Sequence, residues 1–282
     1  MILFKKTADL DKWLDAQRKK ANIIGFVPTM GALHPGHLSL ITAAKKGNDL
    51  VVSSIFVNPT QFNNPKDFEK YPITIEKDIE MLEQAGCDVL FLPSVHEIYP
   101  DGFSTTKKYD LGFVETILDG KFRPGHFQGV CMVVHRLLDI VSPDNLYLGQ
   151  KDYQQCMVIK KLIVIIGKFT INIHISPTLR ESDGLAMSSR NMRLNTEERE
   201  TAVTIYHSLL FIKNNISKGD VTAVKDQAKE ILDNAGFKTD YVEIADATDL
   251  TLLNEWNGQQ KIVVLVAAFL NEIRLIDNMV LN

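Results

Sequence analysis

Residues 23–37 read IIGFVPTMGALHPGH, and this stretch decides the fold. Ile23 to Val27 is a β-branched apolar run closed by Pro28, which predicts a strand. Thr29-Met30-Gly31-Ala32 predicts a tight turn, with Gly31 supplying the backbone freedom. A helix is expected from about Gly36 to Lys46. His34 and His37 therefore fall at a helix start just beyond the carboxyl end of a strand. Free N–H groups and the positive end of the helix dipole favour phosphate there. Two imidazoles at that place can donate to its oxygens, and Gly36 between them would let a bulky ligand approach the backbone.

The same alternation continues outward. Leu50 to Val57, Asp88 to Leu92, Leu146 to Leu148 and Ile171 to Ile175 read as strands, the second ended by Pro93 and the last by Pro177. Asp78 to Gln84, the apolar series Val130, Val134, Leu137, Leu138 and Val141, and Tyr153 to Ile166 read as helices. Apolar strands alternating with helices predict an α/β fold, a Rossmann-like doubly wound parallel sheet with helices on both faces. The tail changes character. Asn195 predicts a helix cap with Glu198 at its third position, and Ala202, Val203, Ile205, Tyr206, Leu209 and Leu210 form one apolar face. A second helix is expected over about Val221 to Asn234, then strands over Tyr241 to Ala245, Ile262 to Leu270 and Ile273 to Ile276. Such a run predicts a smaller C-terminal α+β domain. Pro177 and Gly184 place the division near 177–185, giving domains of residues 1–178 and 179–282.

The chain has 282 residues with 31 Lys+Arg against 35 Asp+Glu, a formal charge of −4, which argues against a broad electrostatic grip on nucleic acid. With 45% hydrophobic and 23% charged residues, the composition is that of a globular protein and excludes wholesale disorder. The three cysteines, Cys87, Cys131 and Cys156, lie far apart without a Cys-x-x-Cys, so a disulfide scaffold and a cysteine zinc site are not expected. Ile262 to Leu270 is too short to span a bilayer, and the apolar opening MILF is too short for a signal peptide. The expectation is a cytoplasmic protein without a membrane partner.

Three further elements carry chemistry. Met187 to Asn191 reads MSSRN, which brings hydroxyls, a guanidinium and backbone N–H groups into one loop suited to a polyphosphate. Gly149 to Asp152 reads GQKD at a strand end: Gly149 permits close approach, Lys151 can neutralise a phosphate, and Asp152 can accept from a ribose. Gln61 and Gln155 follow strand ends on the same sheet edge, and neutral amides suit a hydroxy acid. In KFRPGHFQG, Arg123 and His126 either touch a ligand or order their loop.

With these elements in this order the chain resembles the pantothenate synthetase (pantoate–β-alanine ligase) family of the nucleotidylyl-transferase superfamily. The resemblance rests on VPTMGALHPGH (27–37), SIFVNPTQF (54–62), Tyr71-Pro72, EIYPDG (97–102), RPGHFQGV (123–130), GQKDYQQ (149–155), RESDGLAMSSRN (180–191), AAFL (267–270) and RLIDN (274–278). It implies that ATP and (R)-pantoate form pantoyl adenylate and pyrophosphate, and that β-alanine then releases pantothenate and AMP. It implies an ATP site of Met30, Gly31, Ala32, Leu33, His34, Pro35, Gly36, His37, Gly149, Gln150, Lys151, Asp152, Leu179, Met187, Ser188, Ser189 and Arg190. Of these, His37, His34, Lys151, Ser188, Ser189 and Arg190 would be catalytic. Gln61 would bind pantoate and β-alanine, and Gln155 pantoate. Mg²⁺ with ATP and a homodimer are also implied, with the direct metal ligands unassigned. Gln128 stands where some members carry Arg. The alternative is a cytidylyltransferase-like enzyme, which would keep the nucleotide on its product; the paired amides and the whole-length match favour the ligase. An RNA-binding module would need a basic patch with interleaved aromatics that the tail lacks, and a silent sensor would bind ATP without turnover.

Overall fold

The computed structural model describes residues 1–103 and 108–281. The first part of the chain runs β1 (Ile2–Phe4), α1 (Thr7–Arg18), β2 (Ile24–Thr29), α2 (Pro35–Gly47), β3 (Leu50–Ile55), α3 (Pro65–Glu69), α4 (Ile75–Gln84), β4 (Val89–Phe91), α5 (Val95–Ile98), α6 (Leu118–Phe122), α7 (His126–Val141), β5 (Asn145–Gly149), α8 (Tyr153–Ile165) and β6 (Asn172–Ser176). Its six strands form one sheet in the order β1-β4-β3-β2-β5-β6, and every pairing is parallel. Successive side chains go to opposite faces. Ile24, Phe26, Val52 and Phe91 join the core with Leu14 of α1 and Leu137 and Leu138 of α7. Val27, Val51, Ile55 and Leu90 pack with Ile41 and Ala44 of α2 and Leu82 of α4. Burial on both faces is why these strands read as continuous apolar runs rather than alternating ones. The expected doubly wound parallel sheet is present.

The remainder runs α9 (Thr196–Ala202), α10 (Thr204–Asn215), β7 (Gly219–Asp220), α11 (Thr222–Asn234), β8 (Lys238–Asp246), β9 (Glu255–Trp256), β10 (Ile262–Leu270) and β11 (Ile273–Leu281). Strands β11-β10-β8 form an antiparallel sheet. On β10, Ile262, Val264, Val266 and Ala268 face α9, α10 and α11, while Val263, Leu265 and Ala267 belong to the same hydrophobic cluster as the parallel sheet. The antiparallel sheet thus seals both cores, and IVVLVAAFL is apolar throughout because neither face meets water.

The elements differ from expectation at several points. Pro28 does not end its strand, which continues to Thr29. Strand β5 pairs with β2 only at Gly25 and Phe26, so at Pro28 that side has no ladder bond to lose. The helix after Asn195 is interrupted at Val203, whose backbone stays helical, and the Asn195–Glu198 capping box forms as expected. Strand β11 runs on to Leu281, carrying buried Asp277 and Asn278 with it. Cys87, Cys131 and Cys156 are buried and free. Among the described residues, no helix is long and apolar enough to cross a membrane.

Candidate active site

Strand order reverses between β2 and β5, and an open α/β sheet takes its ligands at the carboxyl edge of that reversal. The loops leaving these two strands carry H-x-G-H and GQKD. A cleft opens there. From the first loop it is lined by Met30, His34, Gly36 and His37, and from the second by Gly149, Lys151 and Asp152. Gln61 and Gln155 stand in its wall, and Leu179, Met187, Ser188, Ser189 and Arg190 close it from the other side. The remaining expected residues do not line it: Gly31, Ala32 and Leu33 form the buried turn, Pro35 is the exposed first residue of α2, and Gln150 bonds Asn278 at 3.3 Å.

The turn is held by a residue that sequence reasoning missed. Asp78 is 1% exposed and accepts the backbone N–H groups of Ala32 at 2.9 Å and Leu33 at 2.8 Å, together with the Thr74 hydroxyl at 3.0 Å. Gly31 has φ +81, and a Cβ there would press on Asp78 and Ile55 at 3.0 Å. The available signal was a carboxylate on the apolar face of α4, one turn before Leu82. Gly36 lines the cleft, and it also makes room for a neighbouring imidazole: a Cβ there would lie 2.9 Å from the His34 ring.

The two histidine rings lie 4.0 Å apart between centroids. The His34 backbone N–H donates to Nδ1 of His37 at 3.3 Å, so the neutral His37 ring carries its proton on Nε2. Burial, then the Lys151 charge, pushes His34 down to about 4. His37 is held well below its ordinary value by burial, then by His34 and Lys151. Both rings are neutral at pH 7, so each has one ring N–H to offer.

The MSSRN loop already touches the histidine loop: Ser189 Oγ donates to the Ala32 carbonyl at 2.9 Å. Arg190 lines the cleft but bonds Asp67 of α3 at 2.9 Å, and Arg193 bonds the same carboxylate at 2.7 Å. Burial alone would raise the Asp67 carboxyl; the two guanidinium partners outweigh it and hold it below its ordinary value. Asp67 is a second residue missed, since only its tertiary partners distinguish it from a surface acid. Lys151 Nζ stands 4.0 Å from Asp152, giving the cleft wall a cation beside a carboxylate.

Gln61 is fixed from several directions. Its side-chain oxygen accepts from Asn58 at 3.2 Å, and its amide nitrogen meets Met30 Sδ at 3.0 Å. Its backbone carbonyl accepts from His126 Nδ1 at 2.8 Å, which leaves His126 Nε2 to accept from Arg123 Nη1 at 3.1 Å. His126 therefore orders the loop of Gln61. Gln155 faces the cleft, whereas its neighbour Gln154 is buried and bonds the backbone at Asp119, Val114 and Ile117. Among the described residues, no group of three or more His, Cys, Asp or Glu side chains could hold a metal ion.

Three rings, His126 buried and His34 and His37 half-buried, also tie stability to pH. His126 is pushed down to about 4 by burial and then by Arg123, as His34 is by burial and Lys151, and His37 is lowered with them. The unfolded chain protonates each near pH 6.5, so below that value it binds more protons than the native state and acid favours unfolding. For His34 and His126 the expected loss is at most about 1.4 kcal/mol per pH unit each between pH 6.5 and about 4. Urea midpoints should fall steadily over that window, and His126→Gln should make the fall shallower. Unchanged midpoints from pH 7 to 4.5 would contradict the neutral rings.

A family model described as pantoate-beta-alanine ligase matches residues 2–280. The chain belongs to the pantoate–β-alanine ligase family. It is 45% identical over 284 residues to the pantothenate synthetase of Cytophaga hutchinsonii, covering 100% of this chain and 99% of that one. The crystal structure of pantothenate synthetase from Thermus thermophilus matches with a TM-score of 0.89 at 39% identity, over 99% of each chain. A pantoate–β-alanine ligase from Francisella tularensis, complexed with β-γ ATP and β-alanine, matches with a TM-score of 0.82 at 40% identity, over 99% of this chain and 97% of that one. These likenesses bear out the family, the fold and the ligase class expected from the sequence.

Proposed function

We propose that this chain condenses (R)-pantoate with β-alanine through a pantoyl adenylate. The observation that carries this is the cleft at the strand reversal, where H-x-G-H, GQKD and MSSR converge on one space beside two amides. A carboxylate is a poor acyl donor because oxide leaves badly. When a pantoate carboxylate oxygen attacks the α-phosphorus of ATP, pyrophosphate leaves and a mixed anhydride forms. The β-alanine amine then attacks the acyl carbon, forming the amide, and AMP departs with the shared oxygen. The first step needs alignment and charge neutralisation rather than a covalent nucleophile. His34 and His37 donate to phosphate oxygens as neutral rings. Lys151 supplies positive charge, with Ser188, Ser189 and Arg190 opposite, and Met30, Gly36, Gly149, Asp152, Leu179 and Met187 line the nucleotide space. Mg²⁺ fits as part of the nucleotide. Asp152 is the only carboxylate among the described residues lining the cleft, so phosphate oxygens and water would supply most of its ligands. When bound, the ion would neutralise phosphate charge.

The test is AMP release measured with ATP, pantoate and β-alanine, omitting each in turn. Release that needs all three supports the ligase; a stable nucleotide conjugate formed without β-alanine supports nucleotidyl transfer instead. Replacement of Gln61 or Gln155 by Leu should raise the pantoate KM by about 30-fold or more, with the ATP KM changed little, because buried polar groups of the substrate lose partners. An equal rise in both would move these amides to the nucleotide or the fold.

The second block, 179–282, is assigned the role of a lid that brings Ser188 to Arg190 onto the phosphates and excludes water. The Ser189–Ala32 and Arg190–Asp67 bonds are the contacts the closed position would keep, since both tie the loop across the cleft. Hydrogen exchange across 180–192 should slow when a non-hydrolysable ATP analogue binds; equal exchange with and without it would mean a pre-formed site. The homodimer and the cytoplasmic setting rest on the family resemblance, and sedimentation equilibrium reads out the dimer directly.

A further inference from the structure

The reaction leaves one charge unaccounted for. β-Alanine carries a carboxylate that takes no part in the chemistry, and the attacking amine must be held by something other than its own reactivity. Lys151 and the MSSR loop are assigned to the nucleotide, and Arg190 already holds Asp67.

Arg123 stands at the end of α6, against the loop that carries Gln61. Its Nη1 meets His126 Nε2 at 3.1 Å, and its Nη2 lies 3.5 Å from the Gln61 carbonyl. Both partners are neutral. Among the described residues no carboxylate lies within hydrogen-bond distance of this guanidinium. The acids around it are committed elsewhere: Asp119 accepts from Tyr241 and Arg274 at 2.8 Å each, and Asp67 is held by Arg190 and Arg193. Burial leaves its mark on the group, pushing Arg123 down to about 10. Asp119 and Asp67 lend it some opposite charge from a distance, but a half-buried cation with spare donors and no carboxylate bonded to it has room for an anion.

The surroundings say where that anion would sit. Arg123 lines a small cavity with Lys151, Asp152 and Gln155, and another with Lys151, Ser188 and Arg190. Each of those neighbours also lines the nucleotide cleft. Arg123 is therefore next to the adenylation site, close to both amides, but is not part of the cleft wall itself. His126 fixes the guanidinium plane without neutralising it, which leaves the planar fork for a carboxylate.

We propose that Arg123 receives the carboxylate of β-alanine and so points its amine at the acyl carbon. This rests on the reaction proposed above and adds the residue that selects an amino acid over a simple amine.

The test compares Arg123→Gln with the unchanged protein in two half-reactions at saturating ATP and pantoate. One is pantoate-dependent ATP–pyrophosphate exchange; the other is AMP release with β-alanine or with β-alaninamide, which has the same length and no negative charge. For the variant, kcat/KM with β-alanine should fall about 100-fold, the size expected for losing a charge-assisted pair. With β-alaninamide it should change less than threefold, and exchange should also fall less than threefold. If the variant keeps the preference of the unchanged protein for β-alanine over its amide, the proposal is wrong. If exchange falls as far as AMP release, Arg123 serves the nucleotide and the proposal is likewise wrong. Should the glutamine variant not fold, Arg123→Lys keeps the charge but loses the fork, and its preference for β-alanine should fall about tenfold; an unchanged preference there overturns the proposal. Absence of β-alanine-dependent AMP release from the unchanged protein would instead overturn the reaction itself.

Discussion

His34→Ala and His37→Ala should each slow pantoate-dependent ATP–pyrophosphate exchange by about 100-fold or more, the range expected for removing one preorganised donor. The rings sit at the start of α2, where the free N–H groups of the helix and its dipole already favour phosphate. His37 presents Nε2–H because its Nδ1 accepts the His34 backbone N–H. In the free site neither ring is charged near neutrality, since His34 is pushed down to about 4 and His37 lies well below its ordinary value. Exchange should therefore show no histidine limb between pH 6 and 8. His37→Gln, which keeps an N–H, should recover part of the loss. Near-normal exchange in both alanine variants would remove the histidines from the phosphate site, and a steep limb near pH 6.5 would mean that a ring must be charged.

Arg274→Ala should destabilise the folded protein by about 3–5 kcal/mol, the cost of leaving a buried carboxylate without its partner. Asp119 of α6 is 7% exposed and bonds Arg274 Nη2 and Tyr241 Oη, both at 2.8 Å. Arg274 also reaches Asp240 at 2.8 Å. Burial alone would raise the Asp119 carboxyl; Arg274 outweighs it and holds it below its ordinary value. The pair joins the parallel-sheet half of the chain to β11, so its loss should loosen the antiparallel sheet first. Against a total stability of about 5–15 kcal/mol the change is large. Urea unfolding reads it, and Asp119→Asn combined with Arg274→Met should recover much of the loss. A single variant that unfolds at the same urea concentration as the unchanged protein would show that the pair adds nothing.

Much of this architecture was legible because its signals are local. Residues 23–37 carry strand, turn and helix within one turn-length of each other, and the strands buried on both faces read as unbroken apolar runs. What escaped depends on distance. Nothing near Asp78 in the sequence says that it binds backbone at Ala32, and nothing near Asp67 says that Arg190 and Arg193 meet on it. Gly36 was legible as a required glycine, but a second reason for it, the neighbouring His34 ring, is a matter of side-chain placement. Pro28 misled because a strand with one missing neighbour tolerates proline. For Arg123 and His126 the sequence left ligand contact and loop ordering both open, and the His126–Gln61 bond identifies loop ordering for the histidine.

In the proposed reaction pantoate is activated through its own carboxylate oxygen before the amine attacks. Pantoate carrying ¹⁸O in both carboxylate positions, turned over with ATP and β-alanine, reads this directly in the mass of the AMP released. One ¹⁸O per AMP phosphate and none in pyrophosphate is the expected result. One ¹⁸O stays in the amide carbonyl of the product; unlabelled AMP, with the other ¹⁸O found in pyrophosphate or water, would contradict the proposed reaction.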